Sequence, residues 1–434
     1  MEIYVVKSGD TAAELASRFG VSFERFLADN GLQSSEALVP GQAVVLQIPS
    51  QVVTAAQGDT VESIAAANGI TVRALLRNNP AVLESGTVVP GQTVVVAYDQ
   101  PPEKSIAVNG YAYPNIDREQ LRQALPFLTY LTIFSYGIKR DGTLLPLFGD
   151  EPLIAAAKAG GVQPLFMLTT LGEDGRFDNT LSTVLLGDEQ KQDALFEEIL
   201  AVVNEKGYYG VDVDFEFVLP AEREAYARFI NRLRGRLNAE NIPLLVALAP
   251  KTSAAQPGLL YEAHDYALLG AAANNALLMT YEWGYTYGPP MAVSPLNKVR
   301  EVVEFAVDNI PPERLFLGVP NYGYDWQLPF VKGETKATSL GNEQAVARAA
   351  QFGADIRFDD TAQTPYYYYT DSEGQEHAVW FEDARSVEAK LNLWENFALR
   401  GVSVWNLMRP FAAAKTVLNA RFIVEERTAP QNSL

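Results

Sequence analysis

Cysteine is absent from this chain, which excludes a disulfide framework and any site built on a thiolate. Histidine occurs only as His264 and His377, too little imidazole for a zinc centre and an argument against a Ser-His-Asp triad. Basic residues are also scarce. The 34 Lys and Arg face 53 Asp and Glu, and the formal net charge of -19 argues against nucleic acid or an anionic membrane as partner, since both require a basic surface. A neutral ligand fits that charge better. No apolar run reaches membrane-spanning length, and the opening MEIYVVKSGD lacks the basic and apolar regions of a secretory signal, so no classical signal peptide is expected.

What is present is an ordinary globular composition, 48% hydrophobic over 434 residues, enough for a large core and more than one domain. The N-terminal part is repeated. YVVKSGDTAAELASRFGVSFERFLADN is answered by VVTAAQGDTVESIAAANGITVRALLRNN, and LVPGQAVVL by VVPGQTVVV. Each unit reads as a strand, a Gly-Asp-Thr turn, two short helices, a Pro-Gly turn and a closing strand, with the turn residues suited to capping the first helix. The segment YDQPPEKS then marks a linker near residue 100.

Beyond the linker, short apolar strands alternate with longer amphipathic helices. The strands are SIAVNGYAY, YLTIFSYGI, VQPLFMLTTL, GVDVDFEFV, PLLVALAP, ALLMTYEWG, LFLGVPNYGY and GVSVWNL, and helical segments include DEQKQDALFEEILAVVNEKG and AEREAYARFINRLRGRL. Eight strands predict a (β/α)8 TIM barrel, α/β in class, with catalytic groups at the C-terminal strand ends; a doubly wound open sheet gives the same alternation. Residues 325–385 interrupt the pattern with TPYYYYTDSEGQEHAVWF, which predicts a β-hairpin within a small α+β insertion walling the cleft.

The fourth strand carries the densest chemistry. In GVDVDFEFV, Asp212, Asp214 and Glu216 alternate with Val211, Val213, Phe215 and Phe217, so that a strand turns three carboxylates to one face. Mutual repulsion raises their proton affinities and equips one of them as a general acid. Alternation alone is equally compatible with a solvated acidic face on a half-exposed strand.

Two family resemblances follow from these residues. The repeats at 2–49 and 51–98 resemble the lysin motif (LysM), whose G-D-T and later Asn stand here as Gly9, Asp10, Thr11 and Asn30, then Gly58, Asp59, Thr60 and Asn79. Ala12 replaces the usual bulky apolar residue. The resemblance implies modules that bind N-acetylglucosamine glycans such as peptidoglycan or chitin, although each of these residues taken singly reads as a cap or turn. Residues 104–425 resemble glycoside hydrolase family 18, whose D-x-x-D-x-D-x-E ends in Asp212, Asp214 and Glu216, with Tyr209 in place of the first Asp and Phe215 where Trp is common. Its M-x-Y-D reads Met279, Thr280, Tyr281, Glu282.

That resemblance implies retaining, substrate-assisted hydrolysis beside N-acetylglucosamine, with no metal or organic cofactor. Glu216 is the expected acid and base, Asp214 the partner of the acetamido N–H, Asp212 the group that shares a proton with it, Tyr281 a hydroxyl donor and Trp405 the floor for the sugar ring. Tyr111, Phe134, Tyr136, Glu282, Trp283, Asn321 and Tyr322 are the further expected cleft residues. His264 reads as a helix residue, in packing or at the surface. Two LysM copies ahead of such a barrel are similar in arrangement to spore-associated N-acetylglucosaminidases that act on cortex fragments in germination, located at the coat or cortex boundary. A chitinase or chitooligosaccharide hydrolase, and a non-catalytic glycan-binding coat protein, are the alternatives.

Overall fold

The computed structural model describes residues 1–33 and 37–427, so residues 34–36 of the first predicted module lie outside the described residues. In that module the strand Glu2–Val5 pairs antiparallel with Ala43–Leu46 around the helices Ala12–Phe19 and Phe23–Asn30. The second repeats the plan, with Pro49–Thr54 pairing Thr93–Tyr98 around Val61–Ala67 and Val72–Asn78. The expected caps are made: Thr11 accepts from the Glu14 N–H and Thr60 from the Ser63 N–H. One element departs from the two-helix expectation. Pro80–Ser85 forms a further helical turn, opened by Pro80 and closed by Gly86 in the left-handed region at φ 72°.

All eight predicted barrel strands are present, at Ser105–Ala112, Tyr130–Ile138, Gln163–Thr169, Gly210–Asp214, Leu244–Leu248, Asn275–Leu278, Leu315–Pro320 and Gly401–Trp405. Each pairs in parallel with the next, and the eighth returns to the first through Gly401↔Ala107, which closes the barrel and excludes the open-sheet alternative. Helices form where the periodicity and caps agree. Glu189–Lys206 starts on Asp188, whose side chain accepts from Gln190 and Lys191, and stops at Gly207 with φ 72°. Arg223–Asn238 buries Tyr226, Phe229, Ile230, Leu233 and Leu237 against the barrel.

Two apolar layers result. Side chains such as Leu131, Phe166, Val211, Val213, Leu244, Val246 and Leu248 fill the space between strands and helices. Tyr111, Phe134, Met167, Leu245, Leu277 and Phe316 fill the interior. The insertion is larger than the predicted hairpin. The hairpin Thr364–Thr370 and Glu376–Trp380 exists, but it belongs to a five-stranded antiparallel sheet that begins at Gly323 and carries the helix Asn342–Phe352. Among the described residues no helix is long and apolar enough to cross a membrane.

Candidate active site

The fourth strand ends at Asp214, so Glu216 stands in the turn that follows rather than in the strand. Val211 and Val213 point outward into the helical layer, which turns Asp212 and Asp214 inward. Asp212 is fully buried and accepts a hydrogen bond of 2.7 Å from the Tyr111 hydroxyl. Burial pushes its carboxyl up to about 7, with the Tyr111 bond opposing. Asp214 is driven well above the usual carboxylate range by burial, then by the charges of Glu216 and Asp212. One oxygen of each aspartate, Oδ1, is buried without a hydrogen-bond partner among the described residues. Burial and mutual repulsion therefore both favour the protonated form in this pair of carboxylates.

Glu216 reaches solvent at the barrel mouth but is walled by protein atoms, and this desolvation, followed by the charge of Glu282, raises its proton affinity. Tyr281 stays protonated because burial and the surrounding carboxylates disfavour the phenolate. Space for its ring comes from Gly318 on the seventh strand, where a Cβ would lie 2.9 Å from Tyr281 Cε1 and 2.4 Å from the Leu278 carbonyl oxygen. Glu282 takes a positive φ of 67° and accepts from the hydroxyls of Tyr322 and, at 3.1 and 3.3 Å, Tyr324. Burial raises Glu282, and the two tyrosines oppose that rise. Trp405, half-buried at the end of the eighth strand, packs against Phe134 at 5.2 Å and Tyr111 at 5.4 Å between ring centres.

The structure thus gathers Asp212, Asp214, Glu216, Tyr281, Glu282, Tyr322, Phe134 and Trp405 at one mouth. It redirects other expected residues. Tyr111 is only 1% exposed and its hydroxyl is spent on Asp212, which makes it a support for that carboxyl. Tyr136 faces the helical layer: a register shift between Ile133 and Tyr136 breaks the alternation of the second strand, and its hydroxyl donates to Asp150 at 2.5 Å. Asn321 spends its amide on the carbonyls of Asn406 and Arg409, tying strand ends together. Trp283 packs against the outer apolar layer rather than with the aromatics around Trp405.

In the repeats, Asn30 and Asn79 are buried and their side chains are spent on the backbone of Val45 and Val95, so they hold each module together. Gly9 and Gly58 adopt the left-handed region at exposed turns, and Asp10 and Asp59 accept from the N–H groups of Lys7 and Ala56, with Thr11 and Thr60 acting as caps. Three cleft residues went unread in the sequence. Tyr324 follows Tyr322 by two positions and shares its face, a signal that alternation offers. Tyr113 and the exposed Phe177 flank Phe134 at 4.8 and 6.2 Å, and no local pattern reports that. His264 is neither helical nor at the surface; it lies in the turn before the helix Tyr266–Ala272 and is fully buried.

Comparison with known proteins agrees with this geometry. The model of "Glycosyl hydrolases family 18" matches residues 162–409, and that of "LysM domain" matches 4–47 and 53–97. The chain is 38% identical to the cortical fragment-lytic enzyme of Bacillus subtilis (strain 168), over 99% of this chain and 100% of the relative. It is 30% identical to the putative sporulation-specific glycosylase YdhD of the same organism, over 98% and 100%. The crystal structure of the Bacillus cereus spore cortex-lytic enzyme SleL superposes with a TM-score of 0.83 at 35% identity, covering 98% of each chain. A barrel with paired aspartates and a glutamate beyond its fourth strand, preceded by two glycan-module repeats and matched along its whole length, makes this chain a member of glycoside hydrolase family 18 with two LysM domains.

Proposed function

We propose that this enzyme is an N-acetylglucosaminidase of spore cortex peptidoglycan, associated with the spore and held on its substrate by the LysM domains. The observation that carries this reading is the cluster of Asp212, Asp214 and Glu216 beside Tyr281 and Trp405 at the barrel mouth, in a chain similar over its full length to cortical fragment-lytic enzymes. Glu216 gives its proton to the glycosidic oxygen as the bond from that oxygen to C1 breaks and the bonding pair leaves with the departing sugar. Asp214 accepts the acetamido N–H, which turns the acetamido carbonyl oxygen toward C1 to form an oxazolinium-like intermediate. Tyr281 donates its hydroxyl to that oxygen, and Asp212 exchanges the retained proton with Asp214. Glu216, now a carboxylate, takes a proton from water as the water oxygen attacks C1; the bond from C1 to the acetamido oxygen breaks, its electron pair returns to the acetamide, and the oxazolinium ring opens with net retention at C1.

Trp405 offers its indole face to the apolar face of the pyranose. Two linked modules raise avidity through effective concentration. Glu216→Gln should lower muropeptide release from cortex fragments by about 10²–10⁴-fold while leaving cosedimentation with the fragments intact. Mass spectrometry of the new reducing ends distinguishes the outcomes: release by both proteins removes Glu216 as the acid, and cleavage of chitin oligomers alone makes the enzyme a chitooligosaccharide hydrolase.

A further inference from the structure

Where the fourth strand stops, the carbonyls of Phe215 and Glu216 leave the parallel ladder and need donors, because unpaired buried backbone groups are costly. His264 meets that need. Its Nε2 lies 3.1 Å from the Phe215 carbonyl oxygen and 3.0 Å from that of Glu216, while the Ala249 N–H donates to Nδ1 at 3.0 Å. Accepting at Nδ1 assigns the hydrogen of a neutral imidazole to Nε2, which then donates to both carbonyls. The ring is fully buried, edge-on to Tyr226 at 6.1 Å, and burial lowers its proton affinity to about 4, consistent with a neutral tautomer. Two positions on, the Tyr266 hydroxyl donates to the Ala249 carbonyl at 2.6 Å and accepts from the Lys251 N–H at 3.0 Å. The segment from His264 to Tyr266 is therefore a brace between the ends of the fourth and fifth strands, and its free end holds the backbone of the acid itself.

We infer that His264 is a positioning residue for the catalytic acid, setting the Glu216 carboxyl over the glycosidic oxygen through a fixed Nε2–H tautomer. The inference rests on Glu216 being the acid, so Glu216→Gln accompanies every assay. The two amide replacements divide the roles of the ring: asparagine places its oxygen near the position of Nδ1 and loses the donor to the acid's backbone, whereas glutamine places an N–H near the position of Nε2. Muropeptide release from cortex fragments should fall by about 100-fold in kcat for His264→Asn, with KM within about twofold, because misplacing a reacting group by about 1 Å costs about that much. His264→Gln should recover most of the loss at a similar unfolding temperature.

Equal activity of the two variants, or a loss that appears in KM rather than kcat, overturns the inference. Should both variants unfold, long-range 1H–15N spectra of the wild-type chain decide it, with His377→Gln assigning the two histidines. A neutral ring protonated at Nε2 through pH 6 is expected, and an Nδ1–H tautomer or an imidazolium overturns it. Retained activity in Glu216→Gln defeats the acid assignment instead, a result separable from full activity in His264→Asn alone.

Discussion

Asp212 illustrates how the active site opposes stability at the scale of single residues. Folding moves its carboxyl from an ordinary value near 3.8 to about 7, by burial that the Tyr111 hydroxyl only partly offsets. Between those values the folded chain binds more protons than the unfolded chain, so stability falls as pH rises, and the full deficit is present above about pH 7. Asp212→Asn removes this titration and leaves Tyr111 an amide oxygen to bond. The variant should therefore be more stable than the wild type at pH 8, by about 2–4 kcal/mol, and nearly equal to it at pH 4. Urea unfolding at the two pH values checks this, and equal midpoints at pH 8 would contradict the assignment.

At the scale of elements, the insertion is fastened to the barrel by polar contacts. Glu382, just after its last strand, pairs with Lys390 on the helix Ala384–Phe397 at 2.8 Å, both side chains being almost fully buried. The Glu382 N–H donates to Asn342, whose amide donates to Asn321 at 3.3 Å, so the inserted helix is linked to the end of the seventh strand. These anchors hold Tyr322 and Tyr324 where they meet Glu282. Lys390→Met leaves the Glu382 carboxylate buried without its cation and should cost about 3–5 kcal/mol, read as a lower urea midpoint. Adding Glu382→Gln should restore most of that loss, since replacing both charges removes the uncompensated one. A midpoint unmoved by the single change would show that Glu382 is buried without cost when its cation is removed.

Across the whole molecule, the LysM domains are docked rather than loosely strung ahead of the barrel. Arg73 donates to the carbonyls of Leu125, Pro126, Leu128 and Gly161, and Arg77 to that of Pro126 at 2.9 Å. Arg25 pairs with Asp29 at 2.6 Å in its own module and donates to the Asn78 carbonyl and Tyr98 hydroxyl of the other. Thr416 donates to the Asp29 carbonyl at 2.9 Å, and the Ile356 N–H to that of Pro40 at 2.9 Å. Removing Arg73 and Arg77 together should expose the linker at 99–104 to protease and weaken release from cortex fragments, with turnover of a short soluble oligomer unchanged. Resistance equal to that of the wild type in limited proteolysis would show that other contacts suffice.

The sequence by itself determined the repeats, the eight strands and the placing of Asp212 and Asp214 on one face of the fourth, because capping and alternation are local rules that a chain obeys before it closes, whereas barrel closure turned that face inward. The family resemblance also marked Glu216, Tyr281 and Trp405, although Glu216 stands beyond the strand that its alternation predicts. Only the tertiary structure decided the rest. A register shift turned Tyr136 away from the cleft, strand ends remote in sequence claimed the amide of Asn321, and each module closed over its own asparagine. His264 acquired its partners from two neighbouring strand ends, 15 and 48 or 49 positions away. Such contacts form only when the barrel closes, and they are selected by the need to pair buried polar groups rather than by any pattern along the chain.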